Sequence, residues 1–279
     1  MNGEANRVSV LMAVYAGDRA AFLAEALASI AVEQSRPPDE VVLVEDGPLG
    51  EALDAVVADW QERLVSLLRR VILPENQGLG AALNAGLAAC RFPLVARMDA
   101  DDVALPGRLA AQLALFDERP EVDICGGQAE DIDAEGRALG PRRVPVDDAA
   151  IRRVIWSCPV IHPSVVFRRE RIVELGSYDA VAAQRQEDFE LWVRAALAGR
   201  VFHNIDQVVL RYRVLGSHFS KNSPRVGLSR LRVALRAVSA FDRRPYAYLA
   251  VFYPFVRSLL PTALARGLHG LAVRFDPRH

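Results

Sequence analysis

Three carboxylates close the segment Leu94–Asp102, LVARMDADD, where Asp99, Asp101 and Asp102 follow the apolar run Leu94, Val95 and Ala96 and then Met98. An apolar strand that ends in acid feeds a site at its carboxyl end. Two aspartates spaced i, i+2 can hold one hard divalent ion through oxygen. The same acids can equally cap the helix that starts near Pro106, since aspartate is a favoured N-cap. A second acidic pair, Glu45-Asp46, ends the run Val41–Val44 ahead of Gly47. An acid after a second strand can bond a ribose hydroxyl or a base N–H, and the alternative is turn chemistry before the glycine. A metal at Asp99 and Asp101 would neutralise a diphosphate. The two acidic pairs together therefore describe a nucleotide-diphosphate site, with nucleotide sugars as the matching ligand class.

These residues need a frame that brings them together. Val8–Val14, Val41–Val44, Val71–Leu73 and Leu94–Met98 are short apolar runs of the kind that form strands buried on both faces. Between them, Phe22/Leu23/Ala26/Leu27/Ile30, Leu53/Val56/Val57/Trp60 and Leu79/Leu83/Leu87 recur at helical spacing. Four strand–helix alternations predict an α/β fold, a doubly wound and mostly parallel sheet. In such a sheet Tyr15, Glu45-Asp46, Asn76 and Asp99–Asp102 all follow strand ends and should share one cleft.

The later chain is less regular. A helix through Leu109, Leu113 and Phe116 leads to a strand at Val122–Cys125 and to Gly126-Gly127, where missing side chains allow close approach to a ligand or another backbone. Pro141–Val146 reads as a loop, Ile151–Trp156 as a short helix, Ser164–Phe167 as a strand and Gly176–Gln186 as a loop. Glu187–Ala198 reads as a helix, with strands at Val201–Ile205 and Val208–Tyr212.

Beyond Ser223, Leu228, Leu231, Leu235 and Val238 line one helical face, with Arg225, Arg232, Arg236 and Arg243 on another. The net charge of −1 over 279 residues hides an asymmetry, because residues 221–279 carry ten Arg and one Lys against two Asp, a net of +9, and the rest of the chain is acidic. A basic amphipathic tail rich in aromatic and aliphatic residues suits an anionic bilayer interface, and the alternatives are packing on the body or a homodimer through the tail. Its apolar content and the acidic body favour lipid over nucleic acid.

Other chemistries fit poorly. GLGAAL at Gly78–Leu83 lacks the third glycine of a dinucleotide fingerprint and follows the third strand, not the first. No GxxxxGK[ST] or GxSxG occurs, and the five histidines lack HExxH spacing. The three cysteines have no ligand spacing and read as reduced, buried hydrophobes. MNGEANRVSV shows no leader pattern, which predicts a body that is not secreted, and Tyr246–Val256, interrupted by Pro254, falls short of a spanning helix.

The ordered motifs VSVLMAVY, EVVLVEDGP, NQGLGAALNAGL, ARMDADD, HPSVVFRR, GSYD, QEDFELWVR and YRV, running from about Val8 to Arg213, resemble glycosyltransferase family 2. The likeness is to the bacterial exopolysaccharide and O-antigen (amylovoran-type) branch, which the LLP at Leu259–Pro261 also resembles. It implies a GT-A fold and an inverting, Mn²⁺- or Mg²⁺-dependent transferase moving one sugar from a nucleotide sugar, commonly UDP-linked, to a lipid-linked saccharide. By that resemblance Ala13, Val14, Tyr15, Glu45 and Asp46 line the base and ribose pocket. Asn76, Gly78 and Asn84 border the nucleotide, Arg97 reaches a phosphate or ribose, Asp99 contacts ribose or metal, and Asp101 is the main metal ligand. Ala16 and Ala13 stand where the family usually has asparagine and proline.

Asp188 resembles the family's base, with Glu187 in reserve. Its place at a helix N-terminus would lower its basicity and leave positioning to supply the effect. On the acceptor side stand Gly126, Gly127, His162 (an acceptor or phosphate contact, or a structural loop residue) and Trp192 (a sugar platform in preference to core). Arg213 resembles the family's YR pair, the alternative being a surface ion pair, His218 is a candidate late metal ligand, and Asp102 is left to cap the turn. The expected organisation is a catalytic domain over 1–220, with a nucleotide half to about 102 and an acceptor half over 103–220, and a basic helical tail over 221–279. The expected location is cytoplasmic, peripheral on the inner face of the membrane. The competing functions are a catalytically silent nucleotide-sugar-binding subunit and a DxD phosphotransferase, whose acids should follow the first strand.

Overall fold

The computed structural model describes residues 6–180, 186–215 and 224–259. In chain order the elements are β1 (Val8–Val14), α1 (Ala20–Leu27), β2 (Glu40–Glu45), α2 (Glu51–Arg63), β3 (Leu68–Ile72), α3 (Leu79–Ala89) and β4 (Leu94–Asp99), then β5 (Val103–Ala104), α4 (Arg108–Glu118), β6 (Ile124–Ile132) and β7 (Ala138–Arg142). They continue with α5 (Asp148–Arg153), β8 (Val166–Arg168), α6 (Arg169–Glu174), α7 (Glu187–Leu197), β9 (Phe202–Arg213), α8 (Pro224–Phe241) and α9 (Pro245–Ser258). One sheet runs β3-β2-β1-β4-β8-β6-β9-β5, with β7 paired to β6. The first four strands are mutually parallel, and β8 enters antiparallel between β4 and β6.

Alternation along these strands explains the two-sided core. Val8, Val10, Met12 and Val14 of β1, Val41 and Leu43 of β2, and Ala96 and Met98 of β4 pack with α1, α2 and α4 on one face. Leu11, Val42, Val44 and Val95 pack with α3, α7 and α8 on the other. A strand whose successive side chains both enter core reads as a continuous apolar run, which is why these three were visible in sequence. The edge strand β3, by contrast, runs Leu68–Ile72 with Arg69, Arg70 and Ile72 exposed and is not buried on both faces as expected for Val71–Leu73.

The second half departs from the sequence expectations for local reasons. The two strands expected at Val201–Ile205 and Val208–Tyr212 are one strand, β9, whose register against β6 shifts at Gly127/Gln128, where Ile205 and Val208 face consecutive residues. Asp206 and Gln207 bulge there and break the apolar run. Part of the expected loop at Pro141–Val146 belongs to β7, the hairpin partner of β6. The expected helix at Ile151–Trp156 divides into α5 and a 3₁₀ turn at Ile155–Ser157, and Ser164 belongs to a 3₁₀ turn ahead of β8.

α8 and α9 pack on the body. Leu231, Ala234, Ala237 and Val238 are buried, as are Ala247 and Val251. The indole N–H of Trp156 donates to Asp242 Oδ2 at 3.1 Å, and Arg244 grips the same carboxylate through Nε and Nη2 at 2.7 and 2.8 Å. Among the described residues no helix is long and apolar enough to cross a membrane.

Candidate active site

Sheet register brings the first acids together. Ala13 of β1 sits opposite Asp99 of β4, and Val14 sits opposite Glu45 of β2. Ala13, Val14, the exposed Tyr15, Glu45-Asp46 and the acidic turn therefore leave the sheet side by side. One carboxylate oxygen from each of Asp99, Asp101 and Asp102 lies within 4.8 Å of the others. Crowding and burial act on them. Burial pushes the Asp101 carboxyl up to about 7, with the charges of Asp99 and Asp18 adding to the rise.

Asp18 is a fourth acid at this site that sequence reasoning missed. It closes the turn after β1, accepting the Tyr15 N–H at 3.0 Å while its own N–H donates to Tyr15 O. Burial, with a contribution from Asp99, pushes its carboxyl up to about 6. The available signal was its place three residues beyond Tyr15 in a small-residue turn, where aspartate bonds its local backbone.

Three arginines organise the acids. Arg97 is buried, pairs with Asp99, and leaves Nε and Nη1 without a hydrogen-bond partner among the described residues. Its charge is felt at Asp101 and Asp102, and also at His162, Tyr178 and Asp188. It is therefore within electrostatic reach of both the acidic turn and the α7 side of the site. Arg108, fully buried on α4, donates from Nη2 to Arg97 O at 2.7 Å.

Arg213, at the end of β9, is buried and binds the acidic turn along its length. Its N–H donates to Asp102 Oδ1 at 2.7 Å, Nε to Asp101 O at 2.7 Å, and Nη2 to Glu25 Oε2 at 2.6 Å. It is no surface ion pair. The expected cap by Asp102 is corrected at the same place, because α4 begins at Arg108 behind Gly107 as N-cap, with no side-chain cap, and Asp102 instead receives the β9 backbone.

Several of the expected nucleotide contacts also hold the framework. Glu45 is buried and gripped by Arg70 of β3 through Nε and Nη2 at 2.6 and 3.0 Å. Asp46 accepts the N–H groups of Gln77 and Gly78 at 2.7 and 3.0 Å, and Asn76 Nδ2 donates to Asp46 O at 3.2 Å. Gly78, at φ +88, starts α3 in a conformation that disfavours a side chain. Asn84 spends both ends of its amide on the backbone of Tyr178, at 2.8 and 2.9 Å. These residues fix the loops around the cleft, leaving backbone and the exposed Asn76 and Tyr15 facing out.

On the other side, His162 is buried, its Nε2 lies 2.9 Å from Tyr178 Oη, and burial followed by the Arg97 charge holds its pKa well below the ordinary value, leaving a neutral ring. Trp192 is fully buried, edge-on to His162 and Phe202. The expected sugar platform is therefore core. Gly126 and Gly127 approach other protein atoms, since an added Cβ would meet Asn204 Oδ1 at 2.2 Å and Val209 Cγ2 at 2.6 Å respectively.

Asp188 opens α7, accepts the Phe189 N–H at 2.7 Å, and lies 3.8 Å from Cys158 Sγ. Burial raises its carboxyl above the ordinary value despite that N–H and the nearby Arg230 and Arg97 charges. Desolvation thus outweighs the helix terminus, opposite to the sequence expectation. Glu187 lies against Gly80 of α3. His218 lies outside the described residues.

Residues 9–175 match the family model for glycosyl transferase family 2. The chain is 35% identical over 237 residues to the amylovoran biosynthesis glycosyltransferase AmsE of Erwinia amylovora, covering 82% of this chain and 86% of that one. It is 31% identical over 283 residues to the UDP-Gal:alpha-D-GlcNAc-diphosphoundecaprenol beta-1,3-galactosyltransferase of Escherichia coli, covering 98% and 99%. Among solved structures, the mannosyltransferase PcManGT of Pyrobaculum calidifontis, in complex with GDP-Man and Mn²⁺, superposes with a TM-score of 0.64 at 21% identity over 98% of this chain and 81% of that one, a likeness of fold.

Proposed function

From membership of glycosyltransferase family 2, to which this chain belongs, we propose that it moves one sugar, with inversion, from a UDP-sugar to a hydroxyl of a lipid-linked saccharide in surface polysaccharide synthesis. The carrying observation is the buried Arg97, within electrostatic reach of both the acidic turn and Asp188, whose carboxyl burial has raised. The name of the E. coli relative supports the UDP donor and the lipid-diphosphate acceptor.

Asp99 and Asp101 would hold the divalent ion. Their hard oxygens converge, Asp101 is crowded by like charge, and Asp102 Oδ2 is buried without a partner among the described residues, all of which suit a cation. Mn²⁺ or Mg²⁺ there would supply Lewis-acid stabilisation of the departing diphosphate. The chain's own part is proton removal and orientation. Asp188 takes the acceptor hydroxyl proton as that oxygen bonds the anomeric carbon and the carbon–oxygen bond to the nucleoside diphosphate breaks. A raised carboxyl suits this step, because proton affinity is what a base needs. Ala13–Tyr15 and Asn76 border the nucleotide, with Glu45, Asp46, Gly78 and Asn84 keeping their loops in place, and Glu187 and His162 shape the acceptor side. Asp188→Asn should retain UDP binding and lose transfer by about 10²–10⁴-fold. Unchanged turnover would remove Asp188 from the role of base.

The same reading assigns residues 1–220 to catalysis and 221–279 to a basic tail lying on the inner face of the cell membrane. Leu249, Phe252, Val256 and Leu259, spaced as one helical stripe at and just beyond α9, are exposed, and Arg232, Arg236 and Arg243 are exposed beside them in sequence. Replacing Leu249 and Phe252 by Ser should reduce co-sedimentation with anionic vesicles. Undiminished pelleting, or a monomer-to-dimer change in its place, would refute membrane docking by this face.

A further inference from the structure

On α8, positions 227, 230, 234, 237 and 241 recur every three or four residues and share one face. Gly227, Ala234 and Ala237 on that face are buried and Phe241 is half-buried. The remaining position is Arg230. Arg232 and Arg236 are exposed, as surface arginines on an amphipathic helix should be, whereas Arg230 is turned into the contact with α7. Its Cζ lies 4.9 Å from the ring centroid of Phe189, the residue whose N–H binds the Asp188 carboxylate. Among the described residues no carboxylate pairs with Arg230. The charge it carries acts on Asp188 without forming an ion pair with it. Holding a part-buried cation with no direct carboxylate partner costs free energy, and α8 had solvent-facing positions to offer.

We propose that Arg230 forms an anion subsite on the acceptor side of Asp188, and that the anion it takes is a phosphate of a diphosphate-linked lipid acceptor. A guanidinium presents paired N–H donors that match phosphate oxygens. The ring of Phe189 fixes the approach of the guanidinium and places the bound phosphate near the base. The charge of Arg230 also opposes the rise of the Asp188 carboxyl. An anion on Arg230 cancels that field and leaves Asp188 a stronger base when acceptor is present. This assignment rests on the reading of Asp188 as base and of the acceptor as lipid-diphosphate-linked. The donor diphosphate offers the same chemistry, but its place is the acidic turn.

The experiment is calorimetric titration of decyl diphosphate into the full-length chain, first in EDTA, so that no divalent ion bridges it to the acidic turn, and then with UDP and Mn²⁺ present. Binding should persist with UDP, weaken by about ten-fold or more in Arg230→Gln and by about three-fold in Arg230→Lys, and stay unchanged in Arg236→Gln. Decyl maltoside, with the same chain and no charge, should not distinguish these proteins, and UDP affinity should be equal in all of them. Equal decyl diphosphate affinity in Arg230→Gln, or complete displacement by UDP, would overturn the subsite. If Arg230→Gln melts early, Arg230→Lys against wild type decides the point. Absence of UDP binding in the wild type would refute the nucleotide reading, while the EDTA titration still decides the subsite.

Discussion

The acidic turn and the α7–α8 corner both present carboxylates to the same cleft, but they are built differently. At the turn, like charges are packed together and held by buried arginines: the Arg97 guanidinium on the Asp99 carboxylate, the Arg213 guanidinium on the Asp101 carbonyl and Glu25, and the Arg213 N–H on the Asp102 carboxylate. At the corner Asp188 is part-buried at the start of α7, and Arg230, whose charge acts on it, lies over the Phe189 ring and does not pair with it. Both arrangements raise proton affinity, but for different reasons: at the turn burial is reinforced by neighbouring like charge, which a cation would reverse, whereas at Asp188 burial acts against the N–H and arginine charges around it. The cause of the shift, and not its direction, separates a binding role from a base role.

The contrast can be broken at either end. The largest expected effect is on transfer in Asp188→Asn, and the same variant gives a stability test of the raised carboxyl. A carboxyl raised in the folded state contributes stability below its unfolded pKa and loses it as pH rises through the folded value. The asparagine, neutral throughout, should therefore melt higher than wild type at pH 8, with the difference vanishing below about pH 4. Equal melting at both values would mean that Asp188 is not desolvated.

Arg213→Met comes next. Removing a buried guanidinium that binds Glu25 and the backbone carbonyls of Asp101, Asp133 and Ala134 should cost about 2–4 kcal/mol in denaturant unfolding and weaken UDP binding in Mn²⁺. A loss below about 1 kcal/mol would return Arg213 to the status of a surface pair. Gly126→Ala should cost about 1–3 kcal/mol, because the new methyl overlaps the Asn204 amide, and should leave acceptor KM unchanged. A selective rise in acceptor KM would restore the glycine to the acceptor pocket.

The smallest effect belongs to a pair outside the cleft. Glu40 is buried beneath the sheet edge; burial alone would raise its carboxyl, but the Ser9 hydroxyl and the Arg91 groups together hold it below the ordinary range. A depressed carboxyl contributes stability above the unfolded pKa and loses it as pH falls through the folded one. Glu40→Gln should therefore destabilise by about 1 kcal/mol near neutrality, with the deficit fading below about pH 4.

The turn was legible in sequence because its acids follow a strand buried on both faces, and the apolar run announces where that strand ends. Its restraints were not. Arg213 reaches Asp102 across 111 residues, and no local pattern carries that distance. Asp46 could be read from sequence as a ligand contact or as turn chemistry, and the two N–H groups it accepts show the second, since acids after strands serve loops as readily as ligands. Trp192 showed the spacing of a platform, but helical periodicity names a face and not what covers it. The tail shows the same ambiguity. The apolar stripe of α8 was visible, yet an amphipathic pattern is alike for protein and bilayer, and only packing reveals that α8 lies on the body. Arg230 was one basic residue among many until the buried face was known.

Arg213 also orders events in time. The bonds that shape the β2–α3 side of the cleft close loops of 31 and 32 residues, so that region can form early from contiguous chain. The acidic turn waits for β9, because its clasp joins residues 111 and 188 positions apart. On a chain emerging from its N-terminus, the carboxylates are made long before the arginine that restrains them. The acids therefore acquire their final spacing only after the sheet has received β9, and a nascent or truncated chain lacks a finished turn.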